Sequence, residues 1–247
     1  MRVATFNVCH GTKGAGSPLD LDALVEGCRS LGADVLALEE VDQRSPRPDG
    51  PNQAARVAEA LGMAWAWGPA WRRKGVVSGQ AILARGAIAE VEVLPLLGHL
   101  RRGHRDRRSA LLATVDVGQV RAQVAVVHLS LDVADNLAQQ RIVLGALAGR
   151  PHPQILLGDF NRRTAWVRPD VEQAGLVLAA DDVRSAPRTT PHFRIDHIAV
   201  AGLSIDSVAV IDTGTSDHRA VVAEVSAAPP DQGGRIGGPR RNVEDGH

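Results

Sequence analysis

The segment Ser109–Val127, SALLATVDVGQVRAQVAVV, is the part of the sequence that best indicates the fold. Two apolar runs flank the dipeptide Gly118-Gln119, and this pattern predicts two antiparallel strands joined by a tight turn. Further strands are predicted in succession before this hairpin, with no helix between them, at Ala64–Trp67, Gly79–Ala84 and Ile88–Leu94. A run of consecutive strands of this kind favours mixed sheets.

Helices are predicted on both sides of this block of strands. Apolar residues recur at helical spacing from Leu21 to Leu31, between a Ser17–Asp20 start signal and Gly32, and two further helices are predicted at Gln53–Leu61 and Val133–Leu147. The remaining strands are predicted at Arg2–Val8, Asp34–Val41, Gln154–Leu157, Ile195–Val200, Ile205–Val210 and Ala220–Val225. This order predicts an α/β (α+β) fold with two sheets packed face to face and helices outside. A doubly wound nucleotide-binding fold is disfavoured because the Gly-rich fingerprint after the first strand is missing.

The composition is that of an ordinary globular protein. The chain has 247 residues, of which 44% are hydrophobic and 23% charged, and the formal net charge is zero. Any contact with nucleic acid would therefore have to be local. The two cysteines, Cys9 and Cys28, form neither a disulfide framework nor a zinc-ligand cluster. No apolar run is long enough to span a bilayer and no signal-peptide pattern is visible, so we expect a cytoplasmic protein.

Two segments differ from the rest of the sequence. From Ala227 to His247 the chain is rich in Gly, Pro and Arg, so we predict a folded domain over residues 1–226 and a disordered tail over 227–247. The run Arg101–Arg108, RRGHRDRR, is the densest basic stretch, followed by Arg72–Lys74. Either run could flank a phosphate-rich substrate or form a solvated loop, and the sequence leaves both interpretations open.

Polar residues stand where apolar strands start, stop or are broken. Six predicted strands carry such groups: Asn7; Glu39 and Glu40; His128; Asp159 and Asn161; Asp196; and Asp217 with His218. If the strands converge in sheets, these groups can meet at one edge. Buried carboxylates are costly unless they are paired or bind a cation. Their oxygens suit Mg²⁺ or Mn²⁺ better than zinc, so the pattern predicts a site for a hard divalent metal.

Each group taken alone has a simpler structural explanation. Asn7 could cap a strand end, Gly158–Asn161 could be an Asx turn, and His128 could be a satisfied core histidine. Asp217-His218 could be a salt-linked pair in a loop. Successive residues of a regular strand face opposite sides, so only one of Glu39 and Glu40 should face the site. We assign Glu40 to it, although the strand period alone does not decide.

The motifs together resemble those of a known superfamily. They are Thr5-Phe6-Asn7, Leu36–Val41, Val127-His128-Leu129, Gly158–Asn161, Ile195–Ile198 and Ser216-Asp217-His218. This ordered set is similar to the motifs of the endonuclease/exonuclease/phosphatase superfamily, which includes deoxyribonucleases, apurinic endonucleases, sphingomyelinases and inositol-polyphosphate 5-phosphatases. The resemblance runs from Val3 to about Val225 and implies a four-layer α/β/β/α sandwich with a Mg²⁺ (or Mn²⁺) site.

The resemblance also implies a role for each residue. Glu40 would be the principal metal ligand, with Asn7 and Asp217 nearby. Asp159 would orient or deprotonate the attacking water, and Asn161 would hold that water or a phosphoryl oxygen. His218, steered by Asp196, would contact the phosphate or protonate the leaving oxygen. His128 would be the second histidine found in the deoxyribonuclease-like and sphingomyelinase-like branches.

The expected function is therefore Mg²⁺-dependent hydrolysis of phosphate esters by in-line attack of water, with a phosphodiesterase or nuclease favoured. The alternative is a phosphomonoesterase acting on a small molecule or lipid headgroup. The substrate would be a nucleic acid, a nucleotide or a phospholipid headgroup, and we expect a monomer. A catalytically silent binding module on the same fold is the alternative from another class. It predicts the loss of Glu40, Asp159 or His218, and all three are present.

Some residues depart from the family pattern. Cys9 stands where apurinic endonucleases usually place an acidic residue, Gln80 occupies a position often held by Asn, and the sequence contains no tyrosine. These departures argue against a dedicated apurinic endonuclease. A calcineurin-like phosphoesterase is disfavoured because its Gly-Asn-His-Asp/Glu motif is missing. A serine hydrolase is disfavoured because no Gly-X-Ser-X-Gly elbow is present.

Overall fold

A computed structural model describes residues 1–43, 52–73, 75–101, 104–179 and 183–228. In these residues twelve strands form two six-stranded sheets. The strands of the first sheet are β1 (Arg2–Asn7), β2 (Val35–Gln43), β3 (Ala64–Arg73), β4 (Val76–Ala84), β11 (Leu203–Ile211) and β12 (Ala220–Ala227). Those of the second are β5 (Ile88–Arg101), β6 (His104–Val117), β7 (Val120–His128), β8 (Gln154–Asp159), β9 (Val177–Leu178) and β10 (Asp196–Ala201).

Both sheets are mixed. Their strand orders are β11-β12-β1-β2-β4-β3 and β5-β6-β7-β8-β10-β9. Only the pairs β1–β2 and β7–β8 are parallel among the described strands, and each lies near the middle of its sheet. Because the two strands of a parallel pair end at the same edge, residues at the ends of β1 and β2 lie side by side. The same holds for β7 and β8.

The sheets pack face to face over an aliphatic core, and helices cover their outer faces. Residues such as Val3, Ala37 and Ile82 from one sheet meet Leu111 and Ile155 from the other. The helices α1 (Leu21–Ser30) and α2 (Gln53–Leu61) pack on the first sheet, and α3 (Val133–Ala148) and α4 (Thr164–Gln173) on the second. The predicted four-layer α/β/β/α sandwich is confirmed.

Side-chain caps set the ends of the helices. Asp20 accepts a hydrogen bond from the Ala23 amide at the start of α1, and Asp132 accepts from Ala134 and Asp135 at the start of α3. Gly62 ends α2 in the left-handed conformation, with φ 66°, which a glycine adopts without strain.

The predicted strands and three predicted helices are present, several of them longer than expected. The helix α4 was not predicted, because it contains Pro169 and buries only Val167 and Val171. Ala227, assigned to the tail, is the last residue of β12 and pairs with Leu203. Ala228 follows β12 outside any strand, and residues 229–247 of the predicted tail lie outside the described residues, as do Lys74 and residues 102–103 of the basic run. None of the helices described here is long and apolar enough to cross a membrane.

Candidate active site

The strand register brings the predicted groups to one end of the sandwich, here called the site end and defined by Asn7, Glu40, His128, Asp159, Asp196 and His218. Asn7 lies beside Glu39 across the β1–β2 pair, and His128 beside Asp159 across β7–β8. Asp196 is the antiparallel partner of Asp159. A hydrogen bond of 3.0 Å from Asn7 Nδ2 to Asp159 Oδ2 joins the two sheets there.

Asp159 lies at the centre of the site end. Its Oδ2 is 3.6 Å from His128 Nε2 and 4.0 Å from His218 Nε2, and its Oδ1 accepts a hydrogen bond from the Asn161 amide at 2.8 Å. Burial, reinforced by the charge of Asp196, raises the pKa of Asp159 to about 7, although His218 acts in the opposite direction. A carboxylate with such a pKa can accept a proton near neutral pH.

His218 is paired with Asp196. Its Nδ1 lies 3.1 and 3.0 Å from the two carboxylate oxygens of Asp196, and the Ser185 hydroxyl donates a hydrogen bond to the second of them at 2.5 Å. Burial lowers the pKa of His218, but the charge and hydrogen bond of Asp196, together with the charges of Asp159 and Asp217, outweigh that effect and raise the pKa to about 10. The imidazole is therefore held protonated, with its Nε2 on the side of Asp159.

Both glutamates of β2 reach the interior, contrary to the expectation for a regular strand. The pairing with β4 shifts register between Leu38 and Val41, and Glu40 has φ 55°. This irregularity turns Glu40 toward the site as well as Glu39. Glu39 is fully buried and accepts a hydrogen bond from the Thr5 hydroxyl at 2.8 Å, and burial raises its pKa well above the usual range.

Glu40 is the more accessible of the two, with a quarter of its side chain exposed. Its Oε1 accepts a hydrogen bond from Asn7 Nδ2 at 3.3 Å and lies 4.0 Å from His128 Nε2. Its Oε2 lies 3.1 Å from His10 Nε2. Asn7 thus connects Glu40 to Asp159, while its own Oδ1 accepts from the Cys9 amide at 3.0 Å. The contacts therefore favour Glu40 over Glu39 as the carboxylate available to a ligand.

Sequence reasoning missed the support behind Glu40. His10 Nδ1 is 2.8 Å from Asp42 Oδ1, and the side-chain amide of Gln53 donates to the His10 carbonyl and accepts from the Asp42 amide. His10 has φ 58° in the short 3₁₀ turn Cys9–Gly11, a backbone conformation that costs energy and clusters at functional sites. The signal for Asp42 was its spacing of two from Glu40 in a strand. No pattern pointed to His10.

The remaining predicted residues lie around this centre. Asn161 has φ 51° and donates from Nδ2 to the Leu129 carbonyl at 2.9 Å. Its amide donates to Asp159 Oδ1, and this bond forms the Asx turn that was one interpretation of Gly158–Asn161. Burial, aided by Arg108, lowers the pKa of His128 well below its usual range. Asp217 is exposed, and its charge helps raise the pKa of Cys9, which burial brings to about 11. The charge of Glu40 also raises the pKa of Cys9, so Asp217 and Glu40 both act on this thiol.

The donor set fits a hard divalent cation. Carboxylates outnumber imidazoles at the site end, and oxygen atoms of Asp159 and Asp196 lie within 4.8 Å of each other and of a His218 nitrogen. Asp196 and His218 already hold each other, and Asp196 is buried. Glu40 is partly open to solvent and is hydrogen-bonded to Asn7. We therefore favour a cation position next to Glu40, on the side of Asp159 that faces Glu40. Its positive charge would offset the cost of gathering these acids.

A comparison with known protein families identifies the family of this chain. Residues 4–218 match the Endonuclease/Exonuclease/phosphatase family. A search of curated proteins gives no match.

Three solved structures show the likeness in fold. An endonuclease/exonuclease/phosphatase from Beutenbergia cavernae has 23% identity and TM-score 0.77, covering 92% of this chain and 71% of that one. A mannosyl-6-phosphatase from Bacteroides thetaiotaomicron has 17% identity and TM-score 0.71, covering 92% and 99%. The catalytic domain of human Nocturnin, with bound sulfate, has 15% identity and TM-score 0.70, covering 92% and 94%.

Proposed function

The chain belongs to the endonuclease/exonuclease/phosphatase family, and from that premise we propose that it is a divalent-metal-dependent hydrolase of phosphate esters. We propose a phosphodiesterase or nuclease reaction, in which water attacks phosphorus in line with the leaving oxygen. The cation would be Mg²⁺ or Mn²⁺. The main support for this proposal is the position of Asp159, whose carboxylate lies close to Asn7, His128 and His218.

Asp159 would take the proton of the attacking water. Its carboxylate is held by the Asn7 amide and the Asn161 amide, so it is oriented before substrate binds. Because burial raises its pKa to about 7, it is a stronger base than an exposed aspartate. Asn161, fixed by the Leu129 carbonyl, would hold the water or a phosphoryl oxygen.

His218 would supply a proton to the leaving oxygen. Asp196 accepts from Nδ1, which leaves Nε2 as the nitrogen facing the reaction. His128, 3.6 Å from Asp159, is buried and its pKa is lowered, so in our proposal it acts as a neutral imidazole contacting the phosphate. These groups support a reaction in which proton removal and proton donation occur at separate points of one site.

The metal would be held chiefly by Glu40, with Asp159 close by. Asn7 would orient both carboxylates, and Asp217 would face the cation from the loop before β12. When bound, a hard divalent cation neutralises charge on the phosphoryl oxygens and lowers the pKa of a bound water. The His10–Asp42 pair would fix the outer oxygen of Glu40, and such outer partners commonly affect metal affinity by about 10- to 100-fold.

A substrate panel with matched variants tests the proposal. Phosphomonoesters, phosphodiesters, DNA, RNA and sphingomyelin would be assayed with Mg²⁺, Mn²⁺ or EDTA. We expect hydrolysis of a diester in the presence of a cation, loss of activity in Glu40→Gln, and unchanged activity in Glu224→Gln at the other end of the sandwich. Full activity in excess EDTA would refute the metal requirement. Hydrolysis confined to monoesters would replace the diester proposal by the phosphomonoesterase alternative.

A further inference from the structure

A cavity rich in arginine lies beside the site end. It has a volume of about 340 Å³ and is lined by Arg163–Ala165, Arg184 and His192–Arg194. None of the described residues that line it is acidic. We call it the arginine cavity. Guanidinium groups gathered around a hollow are suited to phosphate oxygens, with which they form two parallel hydrogen bonds.

The arginine cavity is built on the same segments as the catalytic groups. Arg163 follows Asn161 by two residues, and Arg184 precedes Ser185, whose hydroxyl donates to the Asp196 carboxylate. Arg194 donates from Nε to the Asp196 carbonyl at 3.3 Å. The loops that hold Asn161 and Asp196 therefore also hold the arginines, which places the cavity next to the reacting groups.

The charges of two of these arginines are available to a ligand. Arg163 and Arg184 are exposed, and neither forms a salt bridge with any residue that the structure describes. Arg163 also stands at the start of α4, where no side chain caps the helix. The uncapped amide groups and the helix dipole add to the attraction for an anion, although a helix start alone would not define a site.

An aromatic ring lies next to Arg163, and a second ring lies next to the neighbouring Arg162. The Arg163 guanidinium lies 4.3 Å from the centre of the Phe193 ring, and the Arg162 guanidinium lies 5.4 Å from the Trp166 ring. Phe193 is 38% exposed and Trp166 is 63% exposed. Arginine stacked on an aromatic ring keeps its hydrogen-bond donors free while losing mobility, so the surface is organised for binding an anion before one arrives.

We propose that the arginine cavity binds a second phosphate group of the substrate, adjacent to the one that is hydrolysed. This inference rests on the proposed function, because it assumes that the first phosphate lies at Asp159 and His218. The preferred substrates would then carry at least two phosphate groups. The second could belong to a neighbouring nucleotide of a nucleic acid strand or to a small polyphosphorylated molecule, and both present the same chemistry to the arginines.

The test compares matched ligands in full-length protein with Mg²⁺ present. Calorimetry in the Glu40→Gln background would measure Kd for a thymidine dinucleotide with and without a 5′-phosphate, and for an inositol bisphosphate against a monophosphate. We expect tighter binding of the ligand with the additional phosphate in at least one pair. Arg163→Gln combined with Arg184→Gln should reduce that preference about tenfold, since the two substitutions remove charged hydrogen bonds to the second phosphate.

Arg168→Gln is the matched control, because Arg168 lies on the same helix and pairs with Glu172 at 2.7 Å outside the cavity. The Arg168→Gln variant should keep the preference for the ligand with the additional phosphate. A reduced preference only for the dinucleotide pair assigns the second phosphate to nucleic acid, and a reduced preference for the inositol pair assigns it to a small polyphosphate. Equal preference in the Glu40→Gln protein with and without the two arginine substitutions would overturn the proposal. The readout is binding, so it decides even if no hydrolysis is found and the proposed function fails.

Discussion

The two ends of the sandwich differ in how deeply their charged side chains are buried. At the end where β1 begins, Arg2 and Glu224 form an ion pair of 2.7 Å with side chains that are 33% and 40% exposed. At the site end, the side chains of Asp159 and Asp196 are 2% and 1% exposed. An exposed ion pair contributes about 0–1 kcal/mol, whereas a buried carboxylate costs free energy unless it is paired or protonated.

Backbone strain follows the same division. Of the five non-glycine residues with positive φ in the described chain, four lie at the site end: Cys9, His10, Glu40 and Asn161. The fifth, Glu90, lies in an irregularity of β5. Strained backbone and buried charge persist only where the surrounding structure holds them. The aliphatic core between the sheets provides that support, so strained backbone and buried charge are concentrated at the site end.

The largest expected effect comes from removing the acid–base groups of the site end. Asp159→Asn and His218→Ala should each lower kcat by at least about a hundredfold with KM little changed, because general acid–base groups act mainly on the transition state. The double variant should lose less than the product of the two factors, since both groups serve one step. Steady-state kinetics on the best substrate of the panel would measure these changes.

Two variants at the opposite end serve as controls. Asp206 accepts a hydrogen bond from Ser226, and His152 is exposed near Gly202. Asp206→Asn and His152→Ala should leave kcat and KM unchanged. Near-normal turnover by Asp159→Asn would show that another group activates the water. The buried charge of Asp159 would then distinguish the two ends of the sandwich in their stability but not in their activity.

Much of this contrast was visible in the sequence. The apolar runs and their interruptions predicted the sandwich and the convergence of Asn7, His128 and Asp159, because a strand that ends in a polar residue delivers it to the sheet edge. The orientation of Glu40 was not predictable from strand period, since it depends on a register shift against β4. His10 was missed because a three-residue turn in a left-handed conformation has no periodic signal. The helix α4 was missed because tertiary packing forms it despite Pro169.

A second, smaller effect concerns stability and pH in the absence of metal. The pKa of Asp159 is raised from 3.8 to about 7 in the folded protein, so folding opposes its ionisation and the free energy of unfolding falls as pH rises between those values. The pKa of His218 is raised from 6.5 to about 10, so its contribution is complete below pH 6.5 and is lost as pH rises toward 10. Both groups therefore lower the stability of the metal-free protein as pH rises from about 4 to 10, whereas the lowered pKa of His128 acts in the opposite direction below about pH 6.5.

Thermal unfolding in EDTA would measure this trend. Asp159→Asn removes the first contribution, so the Tm of the variant relative to wild type should increase between pH 4 and pH 7. Addition of Mg²⁺ at pH 8 should raise the Tm of wild type, because a cation offsets the buried negative charge. A difference in Tm between variant and wild type that does not vary with pH would contradict the assignment of the raised pKa to Asp159.

The smallest effect is expected from deleting residues 229–247, which follow the strand that ends opposite the site. This segment is rich in Gly, Pro and Arg and lacks apolar periodicity, so it has little surface to bury against the sheet. Deletion after Ala228 should leave both Tm and kcat/KM unchanged, as measured by thermal unfolding and by the diester assay.

The truncation has to follow β12, because this strand extends to Ala227. Ala227 pairs with Leu203 and Ser226 with Ser204, and the Ser226 hydroxyl also donates to Asp206 at 2.8 Å. A cut after Val225 removes about three hydrogen bonds, each of which contributes about 0.5–1.5 kcal/mol, so it should lower Tm by roughly 3–18 °C. Because the lost bonds lie far from Asp159, kcat should not change at temperatures where the protein is folded. A large drop in Tm after the cut at Ala228 would show instead that the deleted segment packs on the sandwich.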